Sequence, residues 1–110
     1  MTPKHIFETK APEVLASKPD LFKGISLVYL FEIQGPDGGT WHLDFRADPP
    51  TVAPGVPEKA DCTVKMAQED FETLLADFSK AMSLFASGKL KVDNPMAALK
   101  LQGVLPHLAK

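Results

Sequence analysis

Across residues 27–45 every odd-numbered position is large and apolar except Gly35, Asp37 and Gly39, which fall in a glycine-rich reversal. A period of two sustained over this length belongs to strands with one buried face. Residues 26–33 are rich in β-branched and aromatic side chains, and after the reversal Trp41, Leu43 and Phe45 alternate with His42, Asp44 and Arg46. The stretch predicts a β-hairpin. With the turn centred on Asp37, Ile33 opposes Trp41, Phe31 opposes Leu43 and Tyr29 opposes Phe45, so each pair sets two large apolar groups on one face.

The flanking segments follow other rules. Over residues 2–21, Ile6, Phe7, Ala11, Val14 and Leu15 recur at three- and four-residue steps. That spacing predicts a short amphipathic helical region, interrupted by Pro12 and stopped near Pro19. Prolines 49, 50, 54 and 57 deny ladder hydrogen bonds, leaving at most a short edge strand near residues 51–53. Alternation returns in Ala60-Asp61-Cys62-Thr63-Val64-Lys65-Met66, whose even positions share an apolar face.

Beyond Met66 the period changes to that of a helix. Phe71, Leu74, Leu75 and Phe78 fit one face, and Glu69, Asp70 and Glu72 sit where negative charge favours a helix N-terminus. A second short helix, with Ser79 as its cap, carries Met82, Phe85 and Ala86 and stops at Gly88. Leu90 and Val92 alternate with Lys89 and Lys91 as a brief strand. Asn94-Pro95 supplies the cap and first-turn proline of a last helix through Met96, Leu99 and Leu101 toward Leu105, ended by Pro106. Helix, strands, helices, strand, helix, with no internal repeat, reads as one α+β domain over residues 1–110.

Charge and residue usage exclude several classes of function. The formal net charge is −2 and Arg46 is the only arginine, so the bidentate contacts that read phosphate and guanine are nearly absent and no nucleic-acid partner is expected. Lysines are scattered without a dense basic block, which weakens any strong attraction to anionic headgroups and leaves transient membrane contact open. Cys62 is the only cysteine, so an intramolecular disulfide is excluded and a reducing, cytoplasmic setting is expected. No apolar run approaches the roughly 20 residues that span a bilayer. The C-terminal Leu108-Ala109-Lys110 does not read as a peroxisomal address.

Chemistry-bearing motifs are equally sparse. His5, His42 and His107 are far apart and none has zinc-ligand spacing, so no metal is expected. No Gly-x-Ser-x-Gly elbow, Walker loop or dinucleotide fingerprint occurs, and no cofactor or catalytic residue is assigned. The carboxylates at 69–72 read as a helix start. Cys62, among inward strand positions with no adjacent histidine, reads as a buried inert thiol.

Three segments, in order and spacing, carry a resemblance: Gly38-Gly39-Thr40-Trp41 followed by Leu43; Ala60-Asp61-Cys62-Thr63-Val64 leading to Glu69-Asp70-Phe71; and Ser87-Gly88-Lys89-Leu90-Lys91-Val92. Together they resemble the sterol carrier protein type 2 family. The resemblance implies a five-stranded, mainly antiparallel sheet covered on one face by helices. It also implies an apolar tunnel between the layers that binds a fatty acyl chain, acyl-CoA, sterol or similar lipid without catalysis, with transfer or storage left open. In two places the chain departs from the family: Asp93-Asn94-Pro95 replaces a glycine-containing turn, and the tail after Leu105 is short and contains Pro106.

Candidate tunnel residues are those on the expected inner faces. They are Phe31, Ile33, Trp41 and Leu43 on the hairpin; Phe71, Leu75 and Phe78 on the first helix after it; Met82 and Phe85 on the second; Leu90 on the brief strand; and Met96, Leu99 and Leu101 on the last helix. Pattern alone favours plain core packing at any single one of them, and the resemblance shifts the set as a whole. Gln102 is the polar candidate for the single oxygen of an apolar ligand, although a solvated helix residue is the simpler reading. Two other readings stand beside the carrier: a non-catalytic helper or dimerisation domain acting beside a separately encoded enzyme, and a small enzyme with an unrecognised site. The oligomeric state is left open.

Overall fold

The computed structural model describes residues 2–22, 25–47 and 50–100. Five strands, β1 (Val28–Gln34), β2 (Gly39–Asp44), β3 (Thr51–Pro54), β4 (Cys62–Ala67) and β5 (Leu90–Val92), form one sheet in the order β3-β2-β1-β4-β5. Three of the four pairings are antiparallel, and β1 with β4 is parallel. A parallel pair cannot be joined by a tight turn, so the chain runs through β2 and β3 before it returns to the other side of β1. The proline-containing β3 takes an edge, where a missing N–H is harmless.

The hairpin forms, but its register differs from expectation by two residues. Phe31 faces Trp41, Tyr29 faces Leu43 and Ile33 faces Gly39. The reversal is closed by a hydrogen bond from Gly38 N to Gly35 O at 3.1 Å, which centres it one residue earlier than expected. Gly38 must lack a side chain, because a Cβ there would collide with the Ile33 carbonyl oxygen. A further bond, from Asp37 N to Gln68 Oε1 at 3.0 Å, ties the turn to the start of a helix.

Helical segments pack over the odd-numbered face of β1. The first is α-helical at Pro3–His5 (α1), widens into π geometry at Ile6–Lys10 and is α-helical again at Ala11–Ser17 (α2). The widening answers Pro12, which has no N–H to give the Glu8 carbonyl and whose ring would press on it. Ala11 N instead reaches Ile6 O, and the helical path continues past the proline. After β4 come α3 (Gln68–Ala76), a tight turn at Phe78–Lys80, α4 (Ala81–Ala86) and, beyond β5, α5 (Pro95–Leu99). Asp77, rather than Ser79, is the cap: its carboxylate accepts from both the amide and the hydroxyl of Ser79.

One buried cluster joins Ile6, Phe7, Ala11 and Leu15 to Tyr29, Phe31, Trp41, Leu43, Cys62, Val64, Met66, Phe71 and Leu74. Phe7 stands at its centre. Its ring stacks on Trp41 with centroids 4.9 Å apart and on Phe71 at 5.5 Å, and tilts against Phe31 at 5.0 Å. The opposite face of the sheet carries Glu32 and Lys65, paired at 3.6 Å.

Candidate functional site

The site lies beyond this aromatic centre, where α4, β5 and α5 meet. Gly88, at φ +80°, ends α4 in a conformation that favours glycine, and Lys89 N returns to Leu84 O at 2.9 Å to aim the chain into β5. After β5 the Asp93-Asn94-Pro95 turn supplies side-chain oxygens where the family resemblance implied glycine. Asp93 Oδ1 accepts from Thr63 N at 2.7 Å, and Asn94 Oδ1 caps α5 by accepting from Ala97 N at 3.2 Å.

Polar groups hold α5 to the sheet. Asn94 Nδ2 donates to Asp61 O at 3.1 Å, Cys62 Sγ donates to Asn94 O at 3.6 Å, and the Tyr29 hydroxyl donates to Ala97 O at 2.6 Å. Burial pushes the Cys62 thiol up to about 11, with Asp93 adding to it. Burial also raises Tyr29 well above its ordinary value, helped by Cys62 and Asp61. Both groups are therefore protonated at neutral pH, and the thiol has none of the thiolate character a nucleophile needs.

Between these elements runs an apolar groove of about 230 Å³. Ala81, Met82 and Phe85 line it from α4, Leu90 and Val92 from β5, and Pro95, Met96, Ala98 and Leu99 from α5. Among the described residues, no lining side chain is polar. Met82 is 70% exposed, Phe85 43%, Met96 77% and Leu99 60%, so four large apolar groups stand in water around one opening. Concentrations of this kind mark interaction sites more often than scattered single residues do. Among the described residues, no three His, Cys, Asp or Glu side chains gather to hold a metal ion, and no helix is long and apolar enough to cross a membrane.

A model of the SCP-2 sterol transfer family matches residues 8–106. The chain belongs to that family. Among relatives, Hydroxysteroid dehydrogenase-like protein 2 of Pongo abelii is 40% identical over 91 residues, which cover 81% of this chain and 22% of that protein. Sterol carrier protein 2 of Homo sapiens is 36% identical over 86 residues, 74% of this chain and 16% of that protein. The chain thus spans less than a quarter of the length of either. The solution structure of palmitated SCP2L2 from Aedes aegypti aligns with a TM-score of 0.69 at 26% identity, covering 97% of this chain and 96% of that one.

Within this SCP-2 sterol transfer domain the residues singled out from sequence divide into groups. Met82, Phe85, Leu90, Met96 and Leu99 come together in the groove. Phe31, Ile33, Trp41, Leu43 and Phe71 are packed in the aromatic centre, with Leu75 and Phe78 partly buried against it. Leu101 and Gln102 lie outside the described residues. The inward orientation expected of Met82, Phe85, Met96 and Leu99 is not what the structure has. The six-residue α4 and five-residue α5 meet the core through Leu84 and Ala97, which leaves the larger apolar side chains to face outward. Ala81, Val92, Pro95 and Ala98 complete the groove and were not singled out; for Val92 the signal was its place beside Leu90 on one face of a short strand.

Proposed function

We propose that this SCP-2 sterol transfer domain holds the hydrocarbon part of a lipid in the groove between α4, β5 and α5, and passes it on unchanged. The observation that carries this reading is the wholly apolar, solvent-facing lining of the groove. Covering such surface gains about 25 cal/mol per Å² removed from water, while a carboxylate or other headgroup stays hydrated at the open side. The Aedes aegypti relative is palmitated, and a fatty acyl chain is the ligand class we assign first, with acyl-CoA and sterols behind it. Loading by transient contact with a membrane belongs to the same reading. The buried thiol of Cys62 suits a reducing, cytoplasmic compartment.

The test places a carboxylate in the groove. Met82→Glu and Leu99→Glu should each leave the melting temperature nearly unchanged, because exposed substitutions fall within about ±0.5 kcal/mol. Each should weaken binding of a fluorescent fatty-acid analogue by about tenfold or more, since an apolar chain then displaces water from a charge. Native mass spectrometry of the purified protein should show co-purified lipid. Unchanged affinity in both variants would remove the groove from consideration, and a protein that takes up no apolar ligand would bring the helper-domain reading forward.

A further inference from the structure

Two of the four side chains exposed around the groove are thioethers. Met82 on α4 and Met96 on α5 are 70% and 77% exposed and both line the opening, whereas Met66 on β4 is 4% exposed within the core. We propose that Met82 and Met96 are peroxide-oxidation sites whose conversion to sulfoxides closes the groove to apolar ligands; this rests on the groove being the ligand site.

The chemistry is a two-electron transfer. A lone pair of the methionine sulfur attacks one oxygen of hydrogen peroxide, the O–O bond breaks and an S=O bond forms. The second oxygen leaves with both hydrogens as water. Sulfur is oxidised and the peroxide reduced, with nothing else consumed. Exposure governs which sulfur reacts, so Met82 and Met96 precede Met66. The thiol of Cys62 is buried and donates to Asn94 O, so peroxide does not reach it first.

The consequence follows from what surrounds the new oxygen. A sulfoxide is a strong hydrogen-bond acceptor, and among the described residues the groove lining offers no side-chain donor to meet it. The oxygen must keep its water, and an acyl chain that expelled that water would leave an unpaired polar group. The same two residues that adapt an apolar opening to varied chains therefore make it sensitive to peroxide.

The experiment treats the full chain with graded hydrogen peroxide, maps each methionine by peptide mass spectrometry and titrates a fluorescent fatty-acid analogue. Met82 and Met96 should gain oxygen before Met66. With both modified, affinity should fall about tenfold or more, because a bound chain must then strip water from the new oxygens. M82L/M96L, compared with its own untreated affinity, should be insensitive to the same treatment, and methionine sulfoxide reductases should restore the wild type. Affinity that survives oxidation of both residues, or an equal loss in the leucine variant, overturns the proposal. A protein that binds no analogue before treatment instead fails the ligand-groove reading, and the proposal goes with it.

Discussion

Phe7→Ala will cost this domain about 3–5 kcal/mol of folding stability, the usual range for a large aromatic removed from a packed interior. Phe7 is buried and touches three other rings, on β1, β2 and α3, so it joins the N-terminal helical path to the central hairpin and to α3. For a chain of this size 1 kcal/mol shifts the melting temperature by several degrees, so the variant should melt on the order of 15 °C or more below wild type. Circular dichroism melts decide the matter, with the exposed neighbour Glu8→Ala as the control expected to stay within about 0.5 kcal/mol. A loss under about 1 kcal/mol would mean that the aromatic centre closes without Phe7.

The second large effect is a loss of stability in alkali. The unfolded Cys62 thiol titrates near 9.0 and the folded one at about 11, and Tyr29 is raised above its ordinary 10.0. Below pH 9 both states are protonated and the stabilisation is fully present. As pH rises from 9 to 11 the unfolded chain releases the thiol proton first, so folding stability falls and the Cys62 contribution is gone above 11. That interval corresponds to about 3 kcal/mol for the thiol alone, and Tyr29 extends the decline upward. Urea unfolding at pH 7, 9 and 10.5 should show the fall in wild type and a shallower slope in Cys62→Ala, whatever that variant loses at neutral pH. Parallel slopes would mean that Cys62 titrates as an exposed thiol.

Much of the fold was legible because burial imposes a period that sequence records directly. The alternation around Trp41 and in residues 60–66 placed β2 and β4 and their inner faces, and Asn94-Pro95 announced the start of α5. The hairpin register was not legible for a specific reason. A slip of two residues leaves every side chain on its own face, so apolar pairing fits Ile33 opposite Trp41 as well as Phe31 opposite Trp41; the Gly35–Gly38 turn decides between them. The π turn ahead of Pro12 was hidden too, since a proline inside an apolar period ordinarily marks a break.

The groove was half legible. Met82, Phe85, Met96 and Leu99 were among the fourteen candidates named from sequence, yet in helices of five or six residues the helical period cannot say which side meets the sheet. Leu84 and Ala97 take the core side, Ala97 beneath the Tyr29 hydroxyl, and Met82, Phe85, Met96 and Leu99 take the other. Ranking positions by size alone therefore puts the wrong face inward.

The attachment of α5 bears on how fast a guest can enter and leave. The helix buries one side chain, Ala97, and is otherwise moored by hydrogen bonds from Tyr29, Cys62 and Asn94. Its own contribution to the core is one small side chain, so a sub-global opening of α5 costs a fraction of complete unfolding. The rings around Phe7 stay closed meanwhile. On the proposed reading of the groove, weakening the Asn94 mooring would speed ligand exchange while the aromatic interior holds the rest of the chain together.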